Sequence, residues 1–266
     1  MEKENVLRKK SGSHDGNRRG KGAPVASLWA LCARCSLYKI LLVLAGMASA
    51  EFVSFELVCR NRREMTGNAA LLPPEKMMDE CLLQPIFLCA FGLVYFILLW
   101  TESEHRGTRS SYTLLRLRVT QRRQFAVRTV YNALCLMLIF SVQTALAAAL
   151  CARYAKGLPE ELVSPQLLFL TFYRNRFLHS LLPMAEIGKW VRNFLLLTAF
   201  GMEAALGLQG RNYLASVWLC ILSAGLFAAD IGGLNAILCS LLYLFCIAVS
   251  LLQVYGIIGK RETADS

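Results

Sequence analysis

Apolar residues in this chain come in runs about as long as a bilayer is thick, and nothing else in the sequence limits the fold so tightly. Pro85–Trp100 and Val130–Leu150 are two such runs, close to the roughly 20 residues that cover ~30 Å of hydrocarbon at 1.5 Å per residue. The hydrophobic share is 56% of 266 residues and the mean hydropathy is +0.45, whereas soluble domains hold about 45–50% apolar residues. Lipid is therefore the expected solvent for most of the chain. In lipid each backbone N–H and C=O must be paired within the structure, which favours helices for runs of this kind.

Between these two runs lies the segment 105–128, HRGTRSSYTLLRLRVTQRRQFAVR. It carries Arg106, Arg109, Arg116, Arg118, Arg122, Arg123 and Arg128 and no acid. Such a block cannot sit in hydrocarbon, and its sign places it on the cytoplasmic side. Tyr112, Leu114, Leu115, Leu117 and Val119 add an apolar component, so a short surface helix is expected, one that another protein touches. The formal net charge of +11 raises the question of nucleic acid, because basic patches neutralise phosphates. The Lys and Arg residues gather instead in the N-terminal tail and in this loop, where the positive-inside rule puts them. Nucleic acid is not an expected partner.

The expected architecture is all-α: a polytopic integral membrane protein with six transmembrane helices and interfacial helices. Residues 1–24 form a basic cytoplasmic tail, rich in charge, Gly and Ser and without aromatics; such a segment buries too little apolar area to offset its ordering and is drawn to anionic lipid headgroups. Residues 25–37, with Trp29 and Arg34, are expected as an interfacial helix. The spans fall at about 38–59, 83–100, 129–152, 190–208, 213–229 and 234–258, with a cytoplasmic tail at 259–266. The first apolar run starts too far from Met1 for a secretory leader and should remain as a span. The segment 153–189 lies outside, and within it Pro165–Pro183 is apolar on both sides of Arg174-Asn175-Arg176. It reads as a helix or broken helix lying on, or dipping into, the outer leaflet, with a full extra crossing as the rival. Six spans put both termini inside a plasma membrane and leave about 19 of the 29 Lys and Arg residues cytoplasmic.

Little in the sequence points to catalysis. Histidines occur only at positions 14, 105 and 179, and neither H-E-x-x-H nor G-x-S-x-G is present. Gly16–Gly22, GNRRGKG, is one residue short of a phosphate-binding loop and lacks the closing Ser or Thr. No cofactor motif appears, and the chain is not expected to be an enzyme. Cys32 and Cys35 form a C-x-x-C without a second pair or a nearby His, which suits packing at the membrane edge. Acids inside spans are costly, and so Glu51, Glu56 and Glu203 are candidate functional residues. They either line a polar path or a proton-linked site, or make interhelical hydrogen bonds, with Gln143 or Asn132 as available partners.

With the spans and the basic loop in place, the layout resembles that of the ABC-2 type permeases, membrane subunits of ATP-binding-cassette transporters. In that family an interfacial helix precedes six spans, and the loop between the second and third spans is a coupling helix docked on the ATPase. Residues 112–125 are similar to that element. The resemblance implies that Tyr112, Leu114, Leu115 and Leu117 enter a groove of a separate ATPase chain, while Arg116, Arg122 and Arg123 pair with its acids. It further implies a homodimer or a pair with a related permease. An amphipathic substrate would then pass between the two copies. A non-catalytic membrane scaffold or sensor is the alternative.

Overall fold

A helix closes its own backbone hydrogen bonds, and helices are the regular elements found among the described residues. The computed structural model describes residues 23–66, 73–104, 120–157, 166–184, 186–207, 221, 225 and 235–262. The elements are α1 (Ala23–Thr66), α2 (Pro74–Glu80), α3 (Leu83–Glu104), α4 (Gln121–Ala155), α5 (Leu167–Arg174), α6 (Arg176–Leu181), α7 (Ile187–Leu206) and α8 (Ala236–Glu262). Four of them, within α1, α3, α4 and α8, are long and apolar enough to cross a membrane. The expected fifth span lies outside the described residues apart from Ile221 and Gly225.

The expected break between an interfacial helix at 25–37 and a span at 38–59 is not found. α1 runs through it as one helix of 44 residues, about 66 Å long and twice the thickness of the hydrocarbon. Its buried stripe explains the continuity. Leu28, Cys32, Ser36, Ile40, Leu44, Met47, Glu51 and Phe55 are all buried and follow one another at three- or four-residue steps along one face. No Pro or Gly interrupts positions 25–45. The opposite face exposes Leu37, Tyr38, Leu41, Leu42, Phe52, Val53 and Leu57, the pattern of a helix bathed in lipid on one side.

α1 and α4 run parallel. Ser36 meets Tyr131, Glu51 meets Gln143 and Glu56 pairs with Arg153, so the contacts advance together along both helices. Parallel first and third helices are what a chain that crosses back once between them requires. α3 supplies that return and presents Phe87, Phe91 and Tyr95 on one face. These rings meet Phe140 of α4, Phe177 of α6 and Phe200 of α7, mostly edge to face, at centroid distances of 4.8–6.0 Å.

α7 coincides with the expected fourth span, yet it is not among the four helices apolar enough to cross alone. Lys189, Arg192 and Glu203 dilute it. It packs instead against α4, α8 and α3, and its C-terminal turns from Ala199 to Leu206 are wholly buried. Arg192, Asn193 and Glu203 therefore face protein. At Gly201 the approach of α4 is closest: an added Cβ would lie 3.0 Å from the Thr129 carbonyl oxygen and 3.1 Å from Ala133, leaving no space for a side chain.

The segment 165–183, read as a helix or broken helix, is broken. α5 and α6, of eight and six residues, are about 12 and 9 Å long, too short for a crossing. Asn175 makes the break. It adopts extended backbone, caps α6 by accepting from Leu178 N at 3.0 Å, and donates to Asp79 Oδ1 of α2 at 2.7 Å. Arg174 reaches Glu75 of the same short helix at 3.4 Å. Arg62 near the end of α1 forms an ion pair with Glu80, so α2 links the end of α1 to α5 and Asn175.

Gly201→Val is expected to force α7 away from α4 and cost about 1–3 kcal/mol, the usual range for overpacking. A lowered melting temperature of the full-length protein in nanodiscs checks this, with Gly225→Val, in open space, as the control.

Candidate functional site

The polar side chains of the bundle interior are its candidate functional groups, and they fall into separate layers. At the N-terminal ends of α1 and α4, Ser36 donates to the Cys32 carbonyl at 3.0 Å, so its 2.7 Å contact with Tyr131 is one in which the phenol donates. Arg128 is buried beside them, close to the Cys32 thiol. Trp29 closes the layer edge-on to Tyr131, with ring centroids 5.7 Å apart. By sequence alone Arg128 belongs to the basic loop. Its spacing was the available signal, because Arg128 stands three residues before Tyr131 on the face of α4 that meets α1.

The second layer surrounds Glu203. Tyr95 of α3 donates to its Oε2 at 3.0 Å, and Asn132 of α4 reaches the Gly201 carbonyl at 3.4 Å. Glu203 is 3% exposed. The third layer holds Glu51 and Gln143, neither with any exposed surface. Of the two partners considered for the intramembrane acids, Gln143 is the one set against Glu51, and Asn132 goes to α7. Asn132 and Gln143 are eleven residues apart on α4, about 16 Å of rise. The structure thus holds Glu51 and Glu203 at different depths and does not join them into one site.

Glu56, the third acid, is half exposed in an ion pair with Arg153, whose guanidinium also lies over the Phe52 ring at 5.1 Å. It serves the helix ends rather than the interior. The Arg192–Asn193 pair at the start of α7, which no motif marks, is buried. The Arg192 guanidinium donates to Ser180 O at 3.0 Å and Asn193 Oδ1 at 2.9 Å, and Asn193 donates to Ser180 O at 3.0 Å. These carbonyls end α6, where a cation and amide donors complement the helix terminus. Glu186, just before α7, accepts from Lys189 at 3.0 Å and lies 3.4 Å from His179; the Lys189 contact, then the His179 contact, hold its carboxyl below the usual carboxylate range.

Among the described residues no group of three or more His, Cys, Asp or Glu is placed to hold a metal ion. Cys81, between α2 and α3, is enclosed, and burial pushes its thiol up to about 12, far from a reactive thiolate. Of the expected coupling residues, Arg122 and Arg123 are exposed in the first turn of α4. Tyr112, Leu114, Leu115, Arg116 and Leu117 lie outside the described residues. These layers can hold helices in register and can bind or release protons within the bundle.

Tyr95→Phe removes the donor to Glu203 without changing the aromatic packing. A loss of about 1–3 kcal/mol is expected, the cost of leaving a buried acceptor short of a partner. Comparing denaturation of the variant and wild type in the same lipid measures it.

Comparison with protein-family models, with curated proteins and with solved structures yields no match for this chain.

Proposed function

We propose that this chain is the membrane-embedded permease subunit of an ABC-2-like transporter, moving an amphipathic substrate while a separate ATP-binding-cassette chain hydrolyses ATP. On this reading it resides in the plasma membrane with both termini cytoplasmic, and it pairs with a second copy or a related permease. The observation that carries the reading is the union of the basic segment with α4 and of α4 with α1. α4 starts within that segment at Gln121 and continues for 35 residues, about 52 Å. Its first turn exposes Arg122 and Arg123 to a partner, while Arg128 and Tyr131, two turns on, are tied to α1 at Cys32 and Ser36. A push on the segment would move α1 and α4 as one body, because the contacts at Glu51–Gln143 and Glu56–Arg153 repeat the tie farther along. α7, joined to α4 at Gly201 and Asn132, would follow or resist. That is the connection an ATPase needs in order to rock spans from outside the bilayer.

A non-catalytic scaffold or sensor is the second reading, favoured by the contacts that close the interior, such as Tyr95–Glu203 and Ser36–Tyr131. Two measurements separate and orient these readings. Purification of the tagged chain from its own membranes is expected to bring down an ATPase from wild type, and Leu115→Asp is expected to lose it. If the variant recovers the same proteins as wild type, the coupling role is wrong. For topology, an epitope inserted at Gly157, on the exposed end of α4, should be stained on intact cells. One placed after Ser266 should need permeabilised cells; staining of both from the same side overturns the six-span arrangement.

A further inference from the structure

Glu51 on α1 and Gln143 on α4 face each other with no exposed surface. Neither oxygen of the Glu51 carboxyl, and neither polar atom of the Gln143 amide, has a hydrogen-bond partner of standard geometry. Both residues lie just past the middle of their expected spans, 38–59 and 129–152, where water is scarcest. Four polar atoms are thus brought together in the driest part of the bundle, where an unpaired polar group is costly.

Charged groups that could settle the matter differently are held elsewhere. The next charged residue along α1 is Glu56, five residues on and about 7.5 Å away, and it is paired with Arg153. Glu80 is held by Arg62. Cys81, from the turn before α3, acts on Glu51 through space, but its thiol stays neutral across ordinary pH. α3 carries no charge between Leu83 and Trp100, and α4 carries none between Val130 and Ala152. Tyr95, the phenol on α3, is directed at Glu203. Gln143 is left as the group that answers Glu51.

The amide distinguishes the two forms of the acid. An ionised carboxylate can accept from Nε2–H, but the amide oxygen then faces an anion and remains unpaired. A neutral carboxyl donates its O–H to Gln143 Oε1 and accepts Nε2–H on its carbonyl oxygen, closing a ring of two hydrogen bonds. Only the protonated acid lets all four atoms satisfy one another.

We propose that Glu51 is a proton-binding site, and that the proton it carries locks α1 to α4 by closing a carboxyl–carboxamide ring with Gln143. When the proton leaves, the ring opens and an anion stands between two helices, so the contact loosens or admits water. A group protonated in the folded state and ionised in the unfolded one contributes stability at low pH, and the contribution is lost as pH rises. The inference rests on the packing of two helices and holds whether the chain transports or not.

Infrared spectra of the full-length protein in phospholipid nanodiscs test it. At about pH 7 the wild type should show a protonated-carboxyl C=O band that is absent from Glu51→Gln and moves to higher frequency in Gln143→Leu, where the ring partner is gone. Gln143→Asn, which keeps the amide but shortens its reach, replaces the leucine variant if that protein does not accumulate. Glu51→Gln retains a two-bond amide–amide ring and should fold. Its melting temperature should lose the decline that wild type shows as pH is raised from about 5 to about 9. The proposal is overturned if Glu51→Gln removes no band or if both Gln143 variants leave the band unmoved. A Glu51→Gln melting profile that superimposes on wild type also overturns it.

Discussion

A polar side chain enclosed by lipid-facing helices has only other helices to turn to, and this chain is assembled around that restriction. Two of the long helices that pack on α4 meet it through a buried polar or close backbone contact: α1 by Ser36 and Glu51, α7 by Gly201 and the carbonyl that Asn132 reaches. Apolar packing alone is a weak discriminator between neighbours in a bilayer, because a lipid tail is as good a neighbour as a leucine. The polar contacts and the close glycine approach choose the register. The aromatic face of α3 then fills the space between α4, α6 and α7.

This arrangement gives α7 its character. A helix carrying Lys189, Arg192 and Glu203 is poorly suited to facing lipid, yet it occupies the centre of the packing, between α4, α8 and α3. Its N-terminal cation is satisfied by the carbonyls that end α6, and its C-terminal acid by a phenol from α3. The short helix α6 thus has a role in holding α7. Through the Ser180 carbonyl, α6 supplies one of the acceptors that Arg192 uses, beside Asn193 Oδ1. The same reasoning connects the short helices to α1, since Asn175 and Arg174 bind α2 and Glu80 of α2 binds Arg62.

For function, the useful consequence is mechanical. On the proposed function, α4, which begins in the basic segment and packs on α1 and α7, would carry a force applied at Arg122 and Arg123 into the bundle. Within that path the Glu51–Gln143 contact is the place where a proton can change how tightly two of these helices hold.

Much of the helix inventory was legible in the sequence, because a twenty-residue apolar run in lipid has few other solutions. The expected runs 83–100 and 129–152 fall within α3 and α4, and α8 covers most of 234–258. Glu51 and Glu203 could be singled out, since an acid in such a run is rare enough to notice. Other features depended on neighbours remote in sequence. Nothing local says that α1 continues past Tyr38, because the reason is a stripe that packs on α4. Nor does the sequence separate Gln143 from Asn132 as the partner of Glu51; the parallel alignment of α1 and α4 decides that. Arg128 and Arg192 look like boundary charges until the fold encloses them. Which segments prefer lipid and which charges must avoid it follow from each residue and its near neighbours. Which polar groups meet is fixed by the fold, because such pairing depends on the rotation and depth at which one helix settles against another.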